Sequence, residues 1–182
     1  YQGVVYTQHF GKAAYIAKAR VHLMRDFGAQ ASPQNAFLLN LGLETLALRM
    51  QRHCQNAQQL ACFLEKNDKV EWVNYPGLPQ NPYYSLAQKY MPGGSCGVIS
   101  FGVKGGREAA AKLMEALQIG AIVTHVADVR TCVLHPASTT HRQMTDQQLQ
   151  QAGITPNMIR LSVGIEDVND LLADFAQALE RV

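Results

Sequence analysis

The sequence predicts an α+β domain: an antiparallel or mixed sheet with helices packed on one face. Three observations lead there. The stretch MIRLSVGIEDVNDLLADFAQAL changes its apolar period from two to about 3.6 at Asp167, as a strand running straight into an amphipathic helix does. Several short apolar runs bounded by proline and glycine follow one another partly without helices between them, which excludes a strict βαβ alternation. A long helical stretch, SPQNAFLLNLGLETLALRMQRHCQNAQQLACFLEK, precedes them.

In chain order, residues 1 to 9 read as a loop. A helix is predicted from Gly11 to Phe27, with Ala14, Ala17, Val21, Met24 and Phe27 on one side and Gly28 as its stop. Ser32 followed by Pro33 gives two helix-start signals, an N-cap hydroxyl and a proline at the first helical position. Phe37 to Met50 is apolar almost all round, which predicts burial on several sides. Cys54, Ala57, Leu60, Ala61 and Leu64 form the single stripe of a surface helix. The length implies one long or bent helix, with the bend near Gly42 or His53.

KVEWVNYPGL reads as a short strand ended by Pro76 and Gly77, and NPYYSLAQKYMPGG as a short helix closed by proline and glycines. CGVISFGVKGG is the next strand and REAAAKLMEAL the next helix. AIVTHVADVRTCVLHP offers one or two short strands, and TDQQLQQAGI a short helix capped by Thr145. In the closing strand Ile159, Leu161, Val163 and Ile165 share one face, and Arg160, Ser162 and Gly164 the other. Asp167 and Asp170 supply the cap and acidic first turn of the last helix.

A chain of 182 residues with 47% apolar and 16% charged residues can bury a substantial core and is not disordered in composition. The net charge of +2 comes from scattered basic residues, so no electrostatic footprint for nucleic acid or an acidic membrane is expected. Cys54, Cys62, Cys96 and Cys132 lack C-x-x-C spacing and read as reduced, buried thiols. No signal peptide or membrane-length apolar run is evident, which fits a cytoplasmic protein.

Most of the chemistry-bearing residues have a plainer role available. His135 and His141 have no further ligands at metal spacing, so a structural or capping role is expected and no metal. PGGSCG and KGGRE are turns, since neither carries the lysine or glycine spacing of a phosphate loop. Ser100, Ser138 and Ser162 lack the nucleophile elbow and an orienting acid. Arg49, Arg52 and His53 are expected to satisfy helix ends and neighbouring carboxylates. Arg160 alone reads equally well as a surface arginine or as a ligand: beside two small residues it has room to hold a planar carboxylate bidentately.

The combination YTQHFGKAAYIAKARVHLMRDFGAQASPQNAFLLNLGLETLALRMQRH, VEWVNYPGL, GVISFGVKGG, VLHPASTTH and MIRLSVGIED resembles the C-terminal part of the O-acetylhomoserine sulfhydrylases, within the pyridoxal-phosphate-dependent Cys/Met metabolism family. The likeness runs from Tyr1 to Val182. Gln34 stands where the family usually has phenylalanine, and Ala127 where glycine is common.

The resemblance implies a fold-type I transferase. Residues 1 to about 30 would close the cofactor domain, and residues 31 to 182 would form the C-terminal small domain. It implies that Arg160 holds the substrate α-carboxylate, that Thr140 supports that site, and that His125 and Val126 face the substrate. It implies pyridoxal phosphate in the complete enzyme, an N-terminal cofactor domain as partner, an amino-acid substrate and a homo-oligomer. None of Lys12, Lys18, Lys66, Lys69, Lys89, Lys104 or Lys112 stands in a Schiff-base context, so no catalytic or cofactor-binding residue is assigned and the chain alone is expected to be inactive. The implied reaction replaces the acetate of O-acetylhomoserine by sulfide to give homocysteine, a step of methionine biosynthesis. Cystathionine γ-synthase or methionine γ-lyase chemistry, or a non-catalytic amino-acid-binding or oligomerisation module, are the competing readings.

Overall fold

The computed structural model describes residues 2–182. The chain divides into two compact units, one ending at Thr45 and the other spanning Leu46–Val182. In the first unit, α1 (Tyr6–Phe10), a 3-10 turn (Gly11–Ala13), α2 (Ala14–Lys18), a π stretch (Ala19–Met24) and α3 (Arg25–Phe27) form one helical run. It starts earlier than the predicted Gly11, because the Val5 carbonyl already accepts the N–H groups of Gln8 and His9 at 3.0 and 3.1 Å. Gly28, at φ 63°, ends the run in the left-handed conformation expected of a C-terminal glycine.

The next helix, α4 (Pro33–Glu44), begins as the sequence dictates. Ser32 Oγ accepts the Asn35 N–H at 3.2 Å, with Pro33 in the first turn. One expectation is met here and one fails. The break falls at Thr45, three residues past Gly42 and within the region expected for it, although a Cβ at Gly42 itself would meet nothing. The all-round apolar stretch, however, is not buried: α4 has no buried residue, and Leu39 and Leu48 are 67% and 70% exposed. An all-apolar helix signals that something covers it.

The second unit opens with α5 (Leu46–Lys66) and continues through β1 (Val70–Asn74), α6 (Tyr84–Tyr90), β2 (Val98–Val103), α7 (Gly106–Ala116), β3 (Ala121–Ile122) and β4 (Cys132–Leu134). A 3-10 turn (Pro136–Ser138), α8 (Asp146–Gln151), β5 (Met158–Ser162) and α9 (Val168–Leu179) complete it. The sheet order is β1-β2-β5-β4-β3, antiparallel except for the parallel β3–β4 pair. It is the mixed sheet the sequence predicts.

Its core face carries Ile99, Phe101 and Val103 from β2 and Ile159 and Leu161 from β5, with Val133 and Val163, all fully buried. Against them pack the predicted stripe of α5 and the inner faces of α7 and α9, where Phe101 meets Phe175 edge to face at 6.5 Å. Ile165 lies beyond the end of β5 and is only partly buried, so the alternation stops two residues short of it. The last two caps are those expected: Asp167 accepts the Asn169 N–H at 2.8 Å, and Thr145 forms a capping box with Gln148.

Candidate functional site

β5 is the central strand, flanked on the second face of the sheet by Ser100 and Leu134 opposite Arg160, and by Val98 and Cys132 opposite Ser162. That face is crossed by a strap, residues 124–131, that joins β3 to β4. Arg160 Nη2 donates to the Thr124 carbonyl at 2.9 Å, and the Ala127 N–H donates to Ser162 Oγ at 2.9 Å. Arg160 Nε is buried and has no partner. A buried N–H left unpaired on a partly exposed guanidinium is costly, and an anionic acceptor would satisfy it.

Further along, the strap is fastened more heavily. The Ile165 N–H donates to the Val129 carbonyl at 2.9 Å. Thr131 donates from its N–H and hydroxyl to Glu166 at 2.6 and 2.9 Å, while its Oγ1 accepts the Gly164 N–H at 2.9 Å. Gly164 is required sterically, since a Cβ there would overlap the Val129 carbonyl and the Glu166 carboxylate. In the strap itself, hydrogen bonds from the Arg130 side chain and N–H hold the Asp128 carboxyl well below the usual carboxylate range.

Of the residues singled out in the sequence, the structure brings Arg160 against the segment that carries His125 and Val126. Both are exposed, Val126 at 54% and the His125 side chain at 63%, with His125 Nδ1 3.4 Å from Asp128. Thr140 lies in the turn after the Pro136–Ser138 helix, exposed, and its hydroxyl pairs with His141 at 2.9 Å rather than with Arg160. His135 is structural, as expected: buried, its Nε2 donates to the Pro156 carbonyl at 2.7 Å and its Nδ1 pairs with Ser138 at 2.6 Å.

Other residues reach this region from behind. His53 Nδ1 donates to the Val163 carbonyl at 2.6 Å, and Asn56 Nδ2 donates to the carbonyls of Gly164 and Glu166 at 3.0 and 2.9 Å. His53 therefore supports the turn after β5 rather than a helix end. The signal available in the sequence was the pair of polar residues, three apart, beside the apolar stripe of α5. Burial pushes up the thiols of Cys54, Cys96 and Cys132, and all four cysteines are free. Among the described residues no set of three metal-ligating side chains gathers, and no helix is long and apolar enough to cross a membrane. All seven lysines are exposed. The described residues thus offer no sheltered amine to anchor a pyridoxal phosphate.

The sequence model described as Cys/Met metabolism PLP-dependent enzyme matches residues 2–180. The chain belongs to that family. It is 49% identical over 180 residues to the homocysteine synthase of Schizosaccharomyces pombe, covering 99% of this chain and 42% of that protein. To O-acetyl-L-homoserine sulfhydrylase 1 of Thermus thermophilus it is 46% identical, over 98% of this chain and 42% of the relative. Among solved structures, a Campylobacter jejuni protein described as an O-acetylhomoserine (thiol)-lyase, carrying a pyridoxyl-lysine phosphate, superposes with a TM-score of 0.82 at 42% identity, over 90% of this chain and 39% of that one. The O-acetylhomoserine sulfhydrylase of Wolinella succinogenes superposes with a TM-score of 0.80 at 36% identity, over 96% of this chain and 46% of that one. The chain spans about two fifths of the length of the curated relatives it matches.

Proposed function

We propose that this chain is the C-terminal part of a cytoplasmic, homo-oligomeric O-acetylhomoserine sulfhydrylase, and that its share of the chemistry is to hold the substrate's α-carboxylate on Arg160. Residues 1 to about 30 would close the cofactor domain, and the pyridoxal phosphate and its lysine would come from that domain's remaining part. The observation that carries the reading is the guanidinium itself, pinned by one N–H to the Thr124 carbonyl with Nε buried and unpaired. A carboxylate arriving there meets a cation already oriented, so little rotamer entropy remains to be lost on binding. Fixing the carboxylate fixes the direction of the Cα–H bond, a contribution of positioning and not of proton transfer. His125 and Val126 stand beside the clamp on the strap, on the side open to a substrate. Thr140 supports the site only if a bound substrate draws it in, since its hydroxyl is engaged with His141.

The exposed apolar residues of α4 and early α5, such as Leu39 and Leu48, support the view that a further part of the enzyme covers them. In the complete enzyme, sulfide is expected to be the productive nucleophile and cysteine a poor one. Arg160→Ala should lower kcat/KM for O-acetylhomoserine about 10- to 100-fold, the range for losing a charge-assisted hydrogen-bonded pair. Preferential use of cysteine would point to cystathionine γ-synthase instead, and an unchanged kcat/KM in the variant would remove Arg160 from the site.

A further inference from the structure

We propose that Ser162 is a positioning residue for the carboxylate clamp, acting through the strap and not on the substrate; this rests on the reading of Arg160 given above. An arginine side chain has many rotamers, and the partner that orients this one is the Thr124 carbonyl. Thr124 lies three residues before Ala127, whose N–H is held by Ser162 Oγ at 2.9 Å. Ser162 is 2% exposed and follows Arg160 by one full pleat on the same face, roughly 6.6 Å along the strand. The strand therefore fixes the spacing of two anchors, and the short segment 124–127 spans them.

The segment between the anchors contains a strained residue. Ala127 sits at φ 61°, in the left-handed region that an L-residue with a Cβ enters at a cost. The hydrogen bond from Ala127 to Ser162 opposes its relaxation. Without that bond the turn can revert to an ordinary φ, the Thr124 carbonyl swings away, and the guanidinium loses its orienting partner. The rest of the strap would stay, because Val129, Thr131, Gly164 and Glu166 fasten it independently. Removing the Ser162 hydroxyl thus disturbs the clamp selectively.

The test is steady-state kinetics of the complete enzyme with Ser162→Ala, Ser162→Thr and the double variant Ser162→Ala/Ala127→Gly, with Arg160→Ala alongside. Ser162→Ala is expected to raise KM for O-acetylhomoserine about tenfold while KM for sulfide stays within twofold. Ser162→Thr restores the acceptor, and the adjoining cavity of about 180 Å³, which Ser162 lines with Val98, Val126 and Ala127, has room for the extra methyl. Adding Ala127→Gly to Ser162→Ala should recover part of the loss, since glycine adopts the left-handed conformation freely. If Ser162→Ala does not fold, Ser162→Cys carries the same expectation, its sulfur being a weak acceptor. An unchanged KM for O-acetylhomoserine, or an equal rise for both substrates, overturns the role of Ser162. If Arg160→Ala raises that KM and the Ser162 variants do not, this inference alone fails; if Arg160→Ala also leaves it unchanged, the clamp fails with it.

Discussion

Asp174 and Arg160 are opposite uses of a charged side chain. Asp174 is 4% exposed, and its carboxylate accepts the N–H groups of Gln118, Ile119 and Gly120 at 2.8, 2.8 and 3.2 Å, with a further bond from Gln177 at 3.1 Å. It closes the chain between α7 and β3, and it is saturated. Arg160 is left with an unpaired N–H, which marks it as the residue of the two with something still to bind. Asp174→Ala would orphan three backbone donors near the core, and about 3 kcal/mol of stability should be lost in urea unfolding, with no change in the denaturant slope. Arg160→Ala should lose far less, because its partner is one carbonyl at the surface. At this scale the sequence was partly readable. Alternation placed Arg160 on the polar face of a strand, but little local distinguishes Asp174 from any other acid on a helix, since the three backbone N–H groups it accepts lie more than fifty residues away.

Among elements, the strap is the one that decides the site, and it was the least legible. β5 and α9 follow from their periodicities, and the caps Ser32, Thr145 and Asp167 from local side-chain chemistry. The strap has no period to read. Its bonds to Arg160, Ser162 and Glu166 all span more than thirty residues. Its acid response is a separate check. The folded pKa of Asp128 is depressed, so the stabilisation from its bonds to Arg130 is fully present above the ordinary carboxylate value of about 4 and is lost as the pH falls below that toward the folded value. Protection of the Arg130 amide against exchange, taken relative to its intrinsic rate at each pH, should therefore persist at pH 4 and fall only in stronger acid, since that N–H donates to Asp128 at 3.0 Å. In Asp128→Asn that acid-linked loss of protection should disappear.

On the scale of the whole molecule, the second unit holds a core of its own around Phe101 and Phe175, whereas α4 in the first unit buries no residue. The apolar composition of residues 37 to 50 predicts burial on several sides; composition says that cover is needed, not where it comes from. The same holds for the site: this chain supplies a clamp, a strap and their supports, while the reacting centre is proposed to lie on the part of the enzyme that brings the cofactor. The most direct measurement is kcat/KM of the complete enzyme for O-acetylhomoserine against its α-carboxamide analogue, in the unaltered protein and in Arg160→Ala. The unaltered enzyme should prefer the carboxylate by about 100-fold, in line with a charge-assisted bidentate pair, and the variant should treat the two alike within a few fold. A variant that keeps the full preference would show that another group holds the carboxylate.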